Sequence, residues 1–535
     1  MSKPVLSIVL LAHHPFIGAF SGRRSERKGR TRILPEEIPF FEALSQTYLP
    51  LLETLFRMEQ NRVPFRLGMV FSPTLCSMLQ NEEFLFRYLD FLDKKIEFGR
   101  KDLERSAQDP EIRALARYYY EEDVERRIFF TERCEMDILG EFRRFQNKGR
   151  IEILTTAATY AFLPFYASIP EIVRAQLETA VISHRRIFGR PPQGFWLPEF
   201  GWHKSLEAPL VSYGFAYTLT DAHALVLGNP PAQKGTFYPV KASSGFVFLG
   251  RDYQAKEDLV SLLEAGPEYQ RNFTDAGFEL SLKALRPFLG QGGIRCPTGY
   301  RYHNAESRKK RVLYDPKKAR EKAAEQARLY LDMRLSRLEE AGRYMEESPL
   351  SLCVFDAAVF GRNWYEGKVF LEELFRQASA SKRIDLAMPQ EYICRQDQAA
   401  FQITVPEFSS WGNGGYAETW LDASNDWTYR HIFRSIRRMI EMTERFPNDS
   451  GLKERALNQA AREILLSLGA DWPKMLYLGK QPEYARERIE ETLRNFTTIF
   501  ESLGSNYIST EWLTNLEKRH SIFPFINYRV FGRKK

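Results

Sequence analysis

Metal-ligand spacing is missing from this chain: its eight histidines include no HxH or HxxxH pair, so nothing places two imidazoles on one ion. The same gap argues against a metal-dependent deacetylase, which needs paired histidines and an aspartate around its metal. Five cysteines, Cys76, Cys134, Cys296, Cys353 and Cys394, are widely spaced, odd in number and form no CxxC pair, which disfavours both a disulfide framework and a zinc site. Charge of one sign is also scarce. The 76 basic and 69 acidic residues leave +7, weaker than a nucleic-acid binder usually shows, and the basic runs at Arg23-Arg24, Arg27-Lys28, Arg30, Arg32 and Arg308 to Arg311 read as solvated loops. The first apolar run, Val5 to Ala12, is far too short to span a bilayer and lacks the basic start and small-residue cleavage site of a secretory signal. These absences predict a cytoplasmic, reduced protein with no metal, cofactor, membrane or nucleic-acid partner. Oligomeric state stays open, with a monomer as the simplest state.

What is present is enough for a large core: 535 residues, 44% hydrophobic and 14% aromatic. Short β-type runs alternate with amphipathic helices at Leu6 to Leu11, Phe65 to Phe71, Ile151 to Thr155, Phe195 to Pro198, Ala216 to Thr220, Phe246 to Leu249, Leu352 to Phe355 and Ile384 to Ala387. A parallel α/β barrel accounts for this pattern best. Residues 76–148 interrupt it with helical periodicity, as in Leu85, Tyr88, Leu89, Leu92 and Ile96, and read as an insertion beside the cleft. Asp315-Pro316 opens a long helix with an N-cap and a first-turn proline. After Pro406 helices dominate, with Ile432, Ile436, Met439 and Ile440 marking one apolar stripe. The expected division is barrel at 1–75 and 149–405, insertion at 76–148 and a helical domain at 406–535.

Two carboxylates stand out. Glu199, in Trp196-Leu197-Pro198-Glu199-Phe200-Gly201-Trp202, and Asp356, in Val354-Phe355-Asp356-Ala357, each follow a strand-type run, where a barrel side chain enters the cleft at the carboxyl end of its strand. Aromatic neighbours able to stack on sugar rings flank both, and together they read as a glycosidase pair. His13 and Asp221 also fall at strand ends. His13 and His223 read equally as substrate contacts or as buried histidines bonded to backbone, and His14 more readily as the latter.

The ordered motifs Ala12-His13-His14-Pro15-Phe16, Gly149 to Leu154, Trp196 to Glu199, Phe355-Asp356-Ala357 and Ser409-Ser410-Trp411-Gly412 with Trp420-Leu421 resemble glycoside hydrolase family 57. Within that family they look most like the α-1,4-glucan branching enzymes. Thr220-Asp221-Ala222-His223 and Gly250-Arg251-Asp252 extend the match, which covers nearly the whole chain.

The resemblance implies a distorted, TIM-like (β/α)7 barrel with a helical insertion and an all-α C-terminal domain. It also implies a retaining mechanism with Glu199 as nucleophile and Asp356 as acid/base, acting on an α-glucan that cleaves at α-1,4 and rejoins at α-1,6. Substrate contacts implied by it are His13, Trp196, Trp202, Asp221, His223, Arg251, Trp364, Trp411 and Trp420, with packing or loop anchoring as the plainer reading of Asp221, Trp411 and Trp420.

The chain departs from the family pattern near the two acids. Leu11 and Tyr160 stand where histidines are usual, Val260 where a tryptophan is, and Ala358-Val359-Phe360-Gly361-Arg362-Asn363-Trp364 replaces a run containing Glu, His and Trp. Arg362, if close to Asp356, would lower its pKa and oppose acid catalysis. The alternatives are therefore α-amylase or 4-α-glucanotransferase activity, or a catalytically impaired glucan-binding homologue.

Overall fold

The computed structural model describes residues 3–18, 33–306 and 311–533. The basic runs at 23–32 and 308–310 lie outside them, whereas Arg311 is described and pairs with Glu279 at 2.9 Å.

Ten strands form one sheet: β1 (Val5–Ala12), β2 (Leu67–Phe71), β3 (Ile151–Thr156), β4 (Gly194–Trp196), β5 (Tyr217–Thr220), β6 (Val240–Lys241), β7 (Val247–Gly250), β8 (Leu350–Asp356), β9 (Asp385–Leu386) and β10 (Gln402–Ile403). Parallel pairing runs β8-β1-β2-β3-β4-β5-β7, the seven strands of the expected barrel. The seam between β7 and β8 is crossed by a backbone hydrogen bond from the Asp252 N–H to the Leu352 carbonyl at 2.9 Å. A buried cluster fixes that seam. Asp252 Oδ2 accepts from Arg334 at 2.6 Å and from the Ser351 hydroxyl at 2.7 Å, and Arg334 arrives from the helix Pro316–Ala341 packed outside the barrel. Arg337 adds an ion pair to the other Asp252 oxygen at 3.5 Å, so the buried carboxylate is paired on both sides.

Strand periodicity sorts the side chains into two cores. On β1, Leu6, Ile8, Leu10 and Ala12 point outward into the layer shared with the helices. Val5, Val9 and Leu11 point into the barrel, where they meet Val70, Leu154, Trp196, Leu219 and Val354. The sequence runs locate eight of the strands to within two or three residues at each end. The two they omit, β6 and β10, have only two residues each and no periodicity to show, and β6 pairs antiparallel to β7.

In the insertion, Asn81 caps the helix Glu82–Arg105 through its side chain, and Asp109 caps Pro110–Ile128. The buried stripe of the first of these is turned slightly from the expected one. Phe84, Phe91 and Phe98, spaced by seven, lie at its centre, and Ile96 sits at its margin, because the larger rings bury more surface. Asp315 caps Pro316–Ala341 as expected, accepting from the Lys317 and Lys318 N–H groups. The C-terminal region is all helical, and Ile432, Ile436, Met439 and Ile440 are buried. Among the described residues no helix is long and apolar enough to cross a membrane.

One glycine fixes how the chain leaves β8. A Cβ built on Gly361 would stand 2.0 Å from the Gln46 carbonyl oxygen and 3.0 Å from Thr47 Cα, both backbone atoms that cannot rotate away. Gly361→Ala should therefore lower stability by about 1–3 kcal/mol, the usual cost of overpacking, measured as a lower denaturant midpoint at unchanged slope.

Candidate active site

At the carboxyl ends of the barrel strands lies a cleft of about 1020 Å³, walled on one side by the barrel and on the other by the helix Asp471–Leu478 and the turn that follows it. Glu199, Asp356, His13, Tyr160, Trp411 and Trp420 all line it.

Glu199 follows β4 in a left-handed backbone conformation, φ 54°, and Phe200 shares it at φ 52°. Non-glycine residues hold this geometry only where their surroundings impose it, and such positions concentrate at functional sites. Three contacts impose it here. The Glu199 N–H donates to the Tyr160 hydroxyl at 3.4 Å, its carbonyl accepts the Trp411 N–H at 2.5 Å, and both carboxylate oxygens accept from Lys474 Nζ at 2.9 and 3.0 Å. Asp356 ends β8, opens toward the cleft and accepts the Ala358 N–H at 2.8 Å. In the barrel ring β4 and β8 are separated by three strands on one side and two on the other, so the two acids reach the one cleft from opposite sides of the ring.

His13 follows β1. Its Nε2 lies 3.0 and 3.1 Å from the two Asp471 oxygens, and its ring stacks on Tyr160 with centroids 3.9 Å apart. His14 is buried behind it, with Nδ1 2.8 Å from the Pro15 carbonyl, and burial lowers its pKa to about 4. It also borders the cleft.

Burial pushes Glu199 above the ordinary carboxylate range, and the adjacent Lys474 ammonium offsets part of that rise. Asp356 also titrates high. Its depth in the protein outweighs the Ala358 N–H and the pull of His13, Lys474 and Arg362. Arg362 lines the same cleft and lowers Asp356, but it also pairs with Glu42 at 3.5 Å, and its pull is outweighed by burial. For Asp471 the balance runs the other way: burial would raise it, but His13 and Lys474 hold it below its usual range.

The remaining sequence-derived contacts divide into three groups. Trp411 is half-buried, stacked on Phe200 at 5.1 Å, and presents ring surface to the cleft. Trp420 is nearly enclosed, lying flat on Phe162 at 5.0 Å with its indole N–H on the Ala470 carbonyl, so it offers the cleft only an edge. Asp221, His223 and Arg251 gather behind Trp411. Arg251 pairs with Asp221 at 2.9 Å and lies over the Trp411 ring at 5.6 Å, and His223 Nε2 lies 2.9 Å from the Gly415 carbonyl. They support the loop that carries Trp411.

Trp196, Trp202 and Trp364 correct the expectation, because each is buried away from the cleft. Trp196 donates to the Tyr160 hydroxyl, Trp202 donates to the Pro406 carbonyl and packs on Phe248, and Trp364 packs on Phe370. No ring face remains free for a sugar. Val260 likewise sits on the helix Gln254–Glu264 and not on a cleft loop. Among the described residues no group of three or more His, Cys, Asp or Glu side chains is placed to hold a metal ion.

Sequence reading missed Asp471, Lys474 and Tyr484. Asp471 and Lys474 share one side of a helix at i,i+3, a spacing too common to flag, and only the tertiary fold brings them to the barrel mouth.

With this geometry in view, comparison with known proteins gives a consistent result. The family model for glycosyl hydrolase family 57 matches residues 36–406, and that for the C-terminal region of 1,4-α-glucan branching enzyme matches residues 431–531. The chain belongs to glycoside hydrolase family 57. A 1,4-α-glucan branching enzyme from Thermococcus kodakarensis is 24% identical over 530 residues, covering 94% of this chain and 74% of that protein. The crystal structure of the α-amylase AmyC from Thermotoga maritima superposes with a TM-score of 0.91 at 30% identity, covering 100% of both chains. A branching enzyme structure from Pyrococcus horikoshii has the same fold, with a TM-score of 0.86 at 24% identity over 100% of this chain and 97% of that one.

The burial pattern separates two kinds of tryptophan. Trp202→Ala should cost about 3–5 kcal/mol of stability, as expected for emptying a core site, whereas Trp411→Ala should change the thermal midpoint little. Differential scanning calorimetry of both variants checks this.

Proposed function

We propose that the chain is a retaining α-glucan transglycosylase of the 1,4-α-glucan branching type, with Glu199 as nucleophile and Asp356 as acid/base. The observation that carries the reading is that these two carboxyls, far apart in sequence, line one cleft from opposite sides of the barrel ring, with Trp411 and Trp420 in its wall. Family membership and the branching-enzyme C-terminal match support it. The substrate is an amylose- or glycogen-like chain, and the setting is cytoplasmic.

In the first step a Glu199 oxygen bonds the anomeric carbon, the α-1,4 bond breaks, and Asp356 gives its proton to the leaving oxygen. In the second step the 6-hydroxyl of another glucan segment attacks that carbon. Its proton passes to Asp356, and Glu199 leaves as carboxylate. The upward shift of Asp356 favours its acid form, the form the first step needs. Trp411, the half-buried ring on the wall, provides the flat apolar face that stacks on a sugar. Asp221, Arg251 and His223 act by holding its loop. His13 and the edge of Trp420 complete the subsite around Glu199.

The Thermotoga maritima α-amylase, at 30% identity over the whole chain, favours hydrolysis as the second reading. Incubation with amylose, followed by iodine colour, reducing ends and α-1,6 signals in the proton NMR spectrum, separates the two. New α-1,6 linkages mark branching, and reducing ends alone mark an amylase. Binding without change of substrate would refute both. Glu199→Gln should abolish turnover, and Asp356→Asn should lower it about 10²–10⁴-fold.

A pH profile gives an independent check. Arg362 is one of the positive charges that pull Asp356 down, so Arg362→Met should raise the Asp356 pKa further. The acid form then persists to higher pH, and the basic limb of kcat/KM should move up.

A further inference from the structure

The helix Asp471–Leu478 belongs to the C-terminal domain, yet Lys474 spans the cleft to meet both oxygens of Glu199. We propose that Lys474 is a positioning residue for the nucleophile: its ammonium keeps Glu199 charged and aimed, and yields one oxygen when a sugar's anomeric carbon approaches. This rests on the reading of Glu199 given above.

Glu199 is 7% exposed, and burial alone would leave its carboxyl protonated and without nucleophilic power. The groups that face it are few. Lys474 and Asp471 come from the C-terminal helix, His13 from the end of β1 and Tyr160 from the loop after β3. Asp356, from β8, acts on the same lysine. Of these, His13 is committed to Asp471 at 3.0 Å, Tyr160 turns its oxygen to the Trp196 and Glu199 N–H donors, and Asp471 is itself an acid. Lys474 is therefore the one of these groups that brings a cation into direct contact with the Glu199 carboxylate. Positions 11 and 160, where histidines would add positive charge, hold Leu11 and Tyr160.

Lys474 also has room to move, since its side chain is 40% exposed while that of Glu199 is 9% exposed. During attack one carboxylate oxygen bonds carbon and the other keeps the ammonium. When the glycosyl-enzyme breaks down, the electron pair returns to the carboxylate and Lys474 again stabilises the charge. The lysine transfers no proton.

The test is the ionisation of Glu199 in Lys474→Met, Lys474→Gln and Lys474→Arg, with folding confirmed by circular dichroism. The neutral variants should move the acid limb of kcat/KM on amylose upward by about one unit or more, the usual effect of losing an opposite charge at contact distance. The arginine variant should leave that limb near the wild-type position. Carboxyl carbon NMR of glutamate-labelled protein, with Glu199→Gln as assignment, should show the same rise without any turnover. Superimposable acid limbs, or an unchanged Glu199 titration in both neutral variants, would overturn the proposal. If wild-type protein leaves amylose untouched, the functional reading fails while the NMR titration still decides the role of Lys474.

Discussion

Keeping carboxylates charged where water is scarce is the constraint on which this cleft depends. Glu199 is buried and Asp471 half-buried beside one cleft, and an unpaired carboxylate at such a position is driven toward its protonated form. Lys474 and His13 prevent that, one on Glu199 and the other on Asp471. Because Lys474 and Asp471 come from the helical domain, and Glu199 and His13 from the barrel, the Lys474–Glu199 ion pair and the His13–Asp471 hydrogen bond also join the domains. Such pairs add little net stability when charge burial is counted. What they set is geometry, by making any separation of the domains expose unpaired charge.

The barrel contributes stiffness to the same end. Its inner core continues upward from Val9, Leu154 and Leu219 to Trp196 and Phe200, and the members of that core that reach the cleft, Leu11 and Tyr160, form its floor. Tyr160 is central to that floor. It stacks under His13 and accepts from both Trp196 and the Glu199 backbone. Tyr160 is thus a rigid, neutral prop, and the positive charge beside Glu199 comes from Lys474 on the opposite wall.

Much of the fold was legible in the sequence because long strands and caps carry local signals. The apolar runs around Leu6 and Leu352, and the Asp315-Pro316 start, needed no tertiary information. Glu199 and Asp356 were legible for a similar reason, each marking the end of such a run. The tryptophans were harder to assign. Trp202 and Trp364 carry the same chemistry as Trp411, and only the surrounding packing decides that the first two fill cores while the third faces the cleft. Lys474 left no trace in the sequence, because its role comes from a contact 275 residues away along the chain. Arg362 was legible only in part. It lines the cleft and pulls Asp356 down, as its place in the sequence suggested, but its pairing with Glu42, far away along the chain, could not be read there.

The hydrogen bond from the Trp411 N–H to the Glu199 carbonyl bears on the order of assembly. A nascent chain emerging amino end first completes its seven barrel strands by residue 356, long before residues 411 and 474 leave the ribosome. Until then the turn that carries Glu199 lacks both its latch and its counter-ion, and its left-handed backbone has little to hold it. The latch and the counter-ion of Glu199 are thus the last parts of the site to be synthesised, after every strand of the barrel ring.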